Sequence, residues 1–414
     1  MKQIQESPVT IERIAAGGDG VGRWTDGRVI FIPRTAPGDR LTARPTIEKA
    51  RYLRGEVTTL ISPGPDRVRP TCLHYEGDDC GGCQLQHLSV SAQESAKRTA
   101  VGDALRRIAR VDTEDPPLVA AEAHWNYRTK ITLTRSGEGS FGFHRRQGSA
   151  SVFALEECAV ATLSLNRLWR ILARHHDLLP ERANRLTLRQ DGSDRLHVLA
   201  WTDHHGDWPK APELAAELEA AGMSATLWCR QERGPAKAVA GDTSDPGGPA
   251  FEQVNPAMGR LARRDAMAML GPVSERHVWD LYAGIGDTSD LLLEAGARVS
   301  SVEIDPSAVR VARYRHPDGP GLSRFLGPVE RVIEDLDRPD LVVANPPRTG
   351  LGPGVSRALR DAGPERIVYL SCDPATLSRD LRRLGEAYTL GAIKAFDLFP
   401  QTAHVETVVQ LERR

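Results

Sequence analysis

The sequence predicts an α/β protein whose C-terminal domain contains a doubly wound, mostly parallel β-sheet. Three observations support this fold class. A chain of 414 residues is too long for one ordinary hydrophobic core and should divide into domains. Residues 8 to about 61 alternate short apolar stretches with glycine-rich turns, which favours a small N-terminal β-barrel. From about residue 262, apolar strands alternate with helical segments, which is typical of βαβ units. We therefore predict a barrel over 1–62, a central β-rich domain over 63–250 and the α/β domain over 251–414.

The composition is that of a globular protein and gives no general preference for nucleic acids or membranes. Charged residues make up 26% of the chain and the formal net charge is −1, so a basic surface for nucleic acid must be local. The stretch MKQIQESPVTIERI lacks an apolar core, and no segment approaches the roughly 18 apolar residues that span a bilayer. We expect a soluble, cytoplasmic protein with no membrane partner.

The N-terminal segment contains period-2 apolar patches separated by Gly, Pro and Asp, which predicts about five strands. Residues 1–61 carry ten basic and seven acidic side chains, which is a weak electrostatic signal. An oligonucleotide-binding barrel and a purely stabilising module both fit this pattern.

Three of the six cysteines lie within 12 residues of a turn-rich loop, CLHYEGDDCGGC. Six cysteines are too few for a disulfide scaffold in a chain this long, so a cluster favours metal binding or catalysis. Cys72, Cys80 and Cys83 therefore indicate metal or iron–sulfur ligation with a fourth ligand from elsewhere. Cys158, in ALEECAV, fits that role better than Cys229, which lies in the predicted strand ATLWCRQ. The spacing leaves zinc and iron–sulfur both open.

Between the cysteine loop and residue 250, the chain combines a predicted helix with basic strands. SVSAQESAKRTAVGDALRRIARV has helical spacing of apolar residues, and we expect this helix, at about 89–111, to pack on the α/β domain. YRTKITLTR and GSFGFHRR are predicted strands. Their basic residues fit either phosphate contacts or a solvated sheet face. These residues are Arg128, Lys130, Arg135, His144, Arg145 and Arg146.

A glycine-rich loop follows the first strand of the C-terminal domain, in DLYAGIGDTSDLLLEAGA. Gly284 and Gly286 lack side chains and let a ligand approach the backbone before a helix begins. The next strand ends in SSVEID, which places Glu303 where its carboxylate can accept both hydroxyls of a ribose. The loop resembles the nucleotide loop of class I methyltransferases, in which S-adenosylmethionine lies over the glycines. It lacks the third glycine of the dinucleotide fingerprint.

Other chemically useful residues follow the remaining predicted strands. In ANPPRTG, Arg348 stands where amine methyltransferases carry an aromatic residue, which argues against methylation of an exocyclic amine. A lone cysteine is most often a small buried hydrophobe, but Cys372 ends the strand RIVYL at the same predicted sheet edge as Gly284 and Glu303. The following helix would favour a thiolate there. Glu406 opens the last strand and fits a general base beside a thiol nucleophile.

Together these motifs resemble the RNA uridine carbon-5 methyltransferases, and most of all the bacterial 23S ribosomal RNA members. The resemblance covers nearly the whole chain and keeps the family's motif order. It rests on a TRAM-like barrel, CLHYEGDDCGGCQLQHL, NYRTKITLT, EECAV, FEQVN, DLYAGIGD, VEID, NPPRTG, YLSCDPATLSRD and HVETVV.

The resemblance implies a class I methyltransferase domain, S-adenosylmethionine as methyl donor, a 4Fe–4S cluster and RNA as partner. Ribosomal RNA is the first expectation, carbon-5 methylation of uridine 54 in tRNA is the alternative, and we expect a monomer. The implied cluster ligands are Cys72, Cys80, Cys83 and Cys158. The implied cofactor-binding residues are Gln253, Tyr282, Gly284, Gly286, Asp287, Glu303 and Asn345, the last at a position that is Asp in other members. Cys372 would be the nucleophile and Glu406 the general base.

Two alternatives come from other classes of protein. A non-catalytic RNA-binding or assembly protein would not need Cys372, Glu406, Gly284 and Glu303 together. A radical enzyme that uses S-adenosylmethionine would have three cysteines separated by three and two residues. The observed separations are seven and two residues, which do not fit.

Overall fold

The computed structural model describes residues 6–148, 151–203, 207–231, 234–243, 250 and 252–414. Across these ranges the chain forms a closed barrel and two further β-sheets, with helices packed on both sheets. No helix in this part of the chain is long and apolar enough to cross a membrane.

The N-terminal strands close into a five-stranded barrel in the order β1-β2-β3-β5-β4, which confirms the predicted module. Alternate residues of the first strand, such as Val9 and Ile11, point into a core with Ile30, Leu41 and Leu53. The strands are β1 (Ser7–Ile14), β2 (Gly20–Arg23), β3 (Val29–Ile32), β4 (Arg40–Glu48) and β5 (Tyr52–Ser62).

The segment after the barrel contains the cysteine loop and a helix that packs on the C-terminal domain. The predicted helix begins after Ser89, whose hydroxyl accepts the Ala92 N–H at 3.3 Å, and its last turn is π-helical. Buried Val101 and Leu105 join the hydrophobic core of the C-terminal sheet. The elements are α1 (Leu73–Gly77), α2 (Val90–Ala104), the π-turn Leu105–Ala109 and β6 (Leu118–Val119).

The central sheet has seven strands, and helices cover one of its faces. The strand order is β13-β12-β11-β10-β7-β8-β9. Leu165 and Leu168 of α3 and Leu214 of α4 pack with Leu186 and Val198 of the sheet. The elements are β7 (Lys130–Arg135), β8 (Phe141–His144), β9 (Val152–Ala154), α3 (Leu163–Arg174), β10 (Ala183–Gln190), β11 (Leu196–Thr202), α4 (Ala211–Ala220), β12 (Ala225–Gln231) and β13 (Lys237–Ala240).

The C-terminal sheet is doubly wound and mostly parallel, as predicted. Its order is β16-β15-β14-β17-β18-β20-β19-β6, and β20 runs antiparallel to β18 and β19. The elements are α5 (Pro256–Leu270), β14 (His277–Leu281), α6 (Asp287–Glu294), β15 (Arg298–Glu303), α7 (Pro306–Arg315), β16 (Leu322–Leu326), α8 (Val329–Val332), β17 (Leu341–Ala344), α9 (Pro353–Ala362), β18 (Arg366–Ser371), α10 (Pro374–Leu384), β19 (Tyr388–Phe396) and β20 (Glu406–Arg413).

The strand order reverses between β14 and β17, and in such sheets a crevice for ligands opens at the carboxyl ends of the strands on either side of this point. The predicted site loops follow β14, β15, β17 and β18, all at this edge. The domain limits 1–62, 63–250 and 251–414 stay predictions, and residues 90–119 pack on the C-terminal sheet.

Candidate active site

The glycine loop after β14 turns sharply and leaves its backbone accessible. Tyr282, Gly284 and Gly286 all have positive φ angles, of 62°, 59° and 87°. A Cβ atom at Gly284 would meet no atom of the described residues within 4 Å, which leaves space for a ligand above this glycine. Gly286 precedes α6, whose free N–H groups face the same loop. The sequence prediction of a ligand-accessible turn therefore matches the geometry.

Glu303 lies directly beside this loop, as its position at the end of β15 predicts. Its Oε2 accepts the Gly284 N–H at 2.8 Å, and its Oε1 accepts the Asp305 N–H at 2.7 Å. A carboxylate offers about four lone-pair sites, so both oxygens can still accept hydroxyl groups from a ribose. The carboxylate thus also holds the glycine loop in place.

Asp280, at the end of β14, is a buried acid that sequence reasoning missed. Its Oδ2 accepts the Ser289 hydroxyl of α6 at 2.6 Å, and burial raises the Asp280 pKa to about 7. The acid connects the strand beneath the glycine loop to the helix after it. The signal that could have identified it is an acidic residue inside an otherwise apolar strand, in HVWDL.

Gln253 and Asp287 line a cavity of about 760 Å³ between α5, α6 and α7. Asp287 forms ion pairs with Arg315 at 2.7 Å and Arg263 at 3.1 Å, so it joins the three helices at the loop. The side chain of Tyr282 instead packs partly against the core beneath the loop, where burial raises its pKa.

Cys372 and Glu406 lie beside one another at the carboxyl edge of the sheet. Cys372 directly follows β18, and Glu406 begins β20, which pairs with β18 from Ser371↔Thr407 onward. Burial raises the pKa of the Cys372 thiol, the Glu406 charge raises it further, and Arg348 opposes both effects. Burial alone raises the Glu406 pKa to about 8. The pair thus consists of a thiol and an acid that titrates near neutral pH.

Arg348 and His404 complete the surroundings of this pair. The Arg348 Nη2 lies 3.3 Å from the His404 Nε2. Burial and the Arg348 charge lower the His404 pKa to about 4, so a neutral imidazole accepts a hydrogen bond from the guanidinium. His404 was not among the predicted site residues, although it stands two residues before Glu406. Asn345 follows β17 at the same edge, and its N–H donates to the Leu281 carbonyl at 3.1 Å.

The four predicted cluster ligands line one cavity of about 360 Å³, whereas Cys229 is buried in β12. Burial raises the thiol pKa of Cys80 to about 11 and that of Cys83 to about 12, and it also raises the Cys158 pKa. Within the described ranges, no three His, Cys, Asp or Glu side chains are close enough to hold a metal ion. The four cysteines of the predicted cluster thus line one common space.

The cavity walls nevertheless fit a larger thiolate-bound group. Arg128 and Lys130 line the same cavity as the four sulfur atoms and would offset the charge of four thiolates. Gln86, 4% exposed, has a buried Oε1 at this wall that finds no hydrogen-bond partner among the residues that the structure describes. For Arg145 and Arg146, the sequence allowed either phosphate contacts or a solvated sheet face. In the structure, these two arginines form ion pairs with Asp78 and Asp79 of the cysteine loop.

The face of the central sheet opposite α3 and α4 carries a row of mostly basic and aromatic side chains. Arg185 and Arg230 each place a guanidinium 4.8 Å from the centre of the Trp201 ring, one on each neighbouring strand. Neither has an ion-pair partner in the part of the chain that the structure describes. Thr134 and His144 continue the row across β7 and β8. Such a row suits a negatively charged chain that carries flat bases.

The doubly wound sheet, its glycine loop and the acid after the second strand define the class I methyltransferase fold. Comparisons with known proteins agree. Residues 333–414 match the family model of tRNA (Uracil-5-)-methyltransferase, and residues 2–58 match the TRAM domain. An RNA methyltransferase of Nitratidesulfovibrio vulgaris, itself uncharacterized, is 31% identical over 98% of this chain and 96% of its own length. Another uncharacterized RNA methyltransferase, from Thermosynechococcus vestitus, is 32% identical over 97% of this chain and 96% of its own length.

The chain therefore belongs to this family of RNA methyltransferases, with a C-terminal domain of the uracil-5-methyltransferase type and an N-terminal TRAM domain. It is therefore a methyl-transferring enzyme. The fold is also that of the Pyrococcus abyssi tRNA (uracil-54, C5)-methyltransferase in complex with S-adenosyl-L-homocysteine. The match to that structure has a TM-score of 0.71 and 21% sequence identity, and it covers 97% of this chain and 100% of the Pyrococcus abyssi chain.

Proposed function

We propose that this enzyme methylates carbon 5 of a uridine in RNA through a covalent bond between Cys372 and the base. The observation that carries the proposal is that Cys372 directly follows β18 and Glu406 begins the neighbouring strand β20, at the sheet edge that also holds the glycine loop. A nucleophile and an acid–base group within one crevice are what carbon-5 methylation needs.

The chemistry assigns a separate step to each residue. Carbon 5 of uracil is a weak nucleophile, so the Cys372 thiolate first adds to carbon 6 and the electrons of the 5,6 double bond form an enolate. Carbon 5 then attacks the methyl carbon of the donor, whose sulfonium sulfur keeps the electron pair of the broken bond. The products of this step are S-adenosylhomocysteine and a 5-methyl adduct that still carries the carbon-5 proton.

Glu406 completes the reaction by removing that proton. Its carboxylate takes the proton from carbon 5, the 5,6 double bond forms again, and the thiolate of Cys372 leaves carbon 6. A pKa of about 8 suits this role, because a general base works best when its pKa lies near the working pH. Arg348 is exposed and its charge acts on the Cys372 thiol, so this guanidinium belongs to the same site.

Ribosomal RNA of the large subunit is the substrate that we propose first, on the strength of the barrel and the four grouped cysteines. Transfer RNA is the second candidate, favoured by the similarity of fold to the tRNA enzyme of Pyrococcus abyssi over the whole chain. Methylation of 23S ribosomal RNA and of a tRNA transcript by the same preparation, with the product mapped, separates the two.

RNA that contains 5-fluorouridine tests the chemistry directly, because fluorine replaces the carbon-5 proton that Glu406 must remove. With S-adenosylmethionine present, we expect a covalent protein–RNA adduct that survives denaturing electrophoresis. The adduct should be absent in Cys372→Ala and should map to one uridine. Persistence of the adduct in that variant would remove Cys372 from the role of nucleophile.

We also propose that Cys72, Cys80, Cys83 and Cys158 hold a 4Fe–4S cluster, which would supply a rigid crosslink between the loop and the central domain. Four thiols around one cavity with two basic residues support this donor set. Such reduced thiols are typical of the cytoplasm, where we propose the enzyme acts, and a monomeric state stays a prediction. Iron content and visible absorption test the cluster. Loss of methylation with fold and RNA affinity intact after iron removal would contradict its structural role.

A further inference from the structure

The segment between β19 and β20, residues 397–405, forms a strap that leads directly into Glu406. It has no strand or helix, yet Asp397, Gln401 and Thr402 are only 1%, 3% and 2% exposed. Buried irregular backbone needs partners for its polar groups. The partners of the strap therefore identify what holds it.

The residues that follow Cys83 bind the middle of the strap. The Gln401 carbonyl accepts the Gln84 N–H at 3.1 Å and the Leu85 N–H at 2.9 Å. The side-chain oxygen of Gln84 in turn accepts the Ala403 N–H at 3.3 Å. The cysteine loop and the strap thus share one hydrogen-bond network.

Helix α2 binds the same strap residue through a reciprocal pair of hydrogen bonds. The Gln93 amide nitrogen donates to the Gln401 Oε1 at 3.0 Å, and the Gln93 Oε1 accepts the Gln401 N–H at 3.0 Å. Both side chains are buried. Gln401 also has a φ of 69°, which residues other than glycine rarely adopt. Its backbone and side chain are therefore held in one specific conformation.

The sheet alone leaves Glu406 incompletely fixed. Glu406 is the first residue of β20 and pairs with Phe396 on one side. On the β18 side, where Cys372 lies, the register begins only at Ser371↔Thr407. The approach of Glu406 to Cys372 therefore depends on the strap that precedes it.

We propose that Gln401 is a positioning residue for the general base, and that Gln84 and Gln93 hold it in that position. The inference rests on the function proposed above. It connects the cysteine loop to the chemistry through hydrogen bonds of the chain. When this network is broken, Glu406 moves relative to carbon 5 of the bound uridine, although Cys372 stays at the end of β18.

Displacement of the general base Glu406 should lead to a specific reaction product. Addition of Cys372 to carbon 6 and transfer of the methyl group to carbon 5 still occur, but the carbon-5 proton stays and the bond between sulfur and carbon 6 does not break. A methylated covalent adduct with ordinary uridine RNA then accumulates. Simple destabilisation does not produce this adduct, because a disordered site also fails to add the thiol.

The experiment compares full-length Gln93→Leu with Gln410→Leu on uridine-containing RNA and labelled S-adenosylmethionine. Gln410 is a matched control, since it lies on β20 four residues past Glu406 and makes two side-chain hydrogen bonds, to Met269 at 2.7 Å and Ala392 at 3.3 Å. For Gln93→Leu, we expect multiple-turnover rates to fall by about 10- to 100-fold and the adduct to accumulate, because small misplacements of catalytic groups have such effects. The control should show neither change.

Gln401→Gly gives a second test that preserves the left-handed backbone while removing the side chain, and it should show the same adduct. The proposal is overturned when Gln93→Leu and Gln401→Gly lose turnover without adduct while Glu406→Ala accumulates it. Equal accumulation in Gln410→Leu also overturns it. Failure of the proposed function is a different result, namely no adduct in Glu406→Ala and none with 5-fluorouridine RNA in the unmodified enzyme.

Discussion

Replacement of Glu406 by Gln should change how the stability of the protein depends on pH. Glu406 is 6% exposed, and burial raises its pKa from the ordinary 4.5 to about 8. The folded protein therefore binds this proton more tightly than the unfolded chain does. The stability gained from this bound proton is fully present below pH 4.5 and is lost as the pH rises to 8 and above.

The magnitude follows from proton linkage. Between pH 4.5 and 8 the free energy of unfolding should fall by about 1.4 kcal/mol for each pH unit because of this one group. Between pH 5.5 and 7.5, the unmodified protein should thus lose about 2.5 kcal/mol of stability relative to Glu406→Gln, which has no proton to release, because the slope flattens as the pH approaches 8. Other titrating groups contribute to both proteins and cancel in the difference.

Urea denaturation of both proteins at pH 5.5 and pH 7.5, without RNA or S-adenosylmethionine, measures this difference. The same substitution should slow methylation by about 10²- to 10⁴-fold, the usual contribution of a general base. The rate of the unmodified enzyme should rise toward pH 8, because only the ionised carboxylate accepts the carbon-5 proton. An unchanged stability difference between the two pH values would refute the reasoning that Glu406 is protonated in the folded state.

Three further predictions concern ion pairing, RNA binding and cofactor binding. Lys97→Met leaves the carboxylate of Asp397 buried without the ammonium that lies 2.5 Å from it. The free energy of unfolding, measured by urea denaturation, should fall by about 3–5 kcal/mol, and Lys97→Met/Asp397→Leu should restore most of this loss. Arg185→Glu/Arg230→Glu should weaken RNA binding and reduce the slope of log K against log salt by about 2 in filter-binding titrations. Glu303→Gln should weaken S-adenosylhomocysteine binding by about 10- to 100-fold in calorimetry, because charged acceptors form the stronger hydrogen bonds.

Each of these predictions has a control. Charge reversal at two exposed arginines elsewhere in the central domain, Arg174→Glu/Arg182→Glu, should leave the slope of log K against log salt unchanged for RNA binding. An equal fall in slope would mean that general charge explains the effect. Unchanged RNA affinity in Glu303→Gln separates its role from that of the sheet face. A double variant at Lys97 and Asp397 as unstable as the single one would contradict the ion-pair explanation.

The sequence predicted the fold class and the edge of the sheet at which the site lies. Strand periodicity is a local property, so the apolar runs that end at Leu281, Glu303, Ala344 and Ser371 were recognisable without tertiary information. Loops after parallel strands must meet at one edge. The glycine loop, Glu303 and Cys372 therefore lie at one edge of the sheet, and their roles there stay predictions.

Tertiary structure alone decided the environment of these groups. The raised pKa of Glu406 comes from burial by residues distant in sequence, and no local pattern reports burial of a strand's first residue. The neutral His404 beside Arg348, and the ion pairs that occupy Arg145 and Arg146, likewise depend on contacts across 56 or more positions.

The reason is that composition and periodicity are read along the chain, whereas desolvation and pairing are set by neighbours in space. The sequence by itself determined which residues of this methyltransferase are chemically able to act, namely a thiol, an acid and a glycine loop at strand ends. The fold decided that the acid is protonated near neutral pH, that four cysteines surround one cavity, and that Gln84, Gln93 and Gln401 connect that cavity to the catalytic edge. Hydrogen bonds between residues some 300 positions apart require the folded chain.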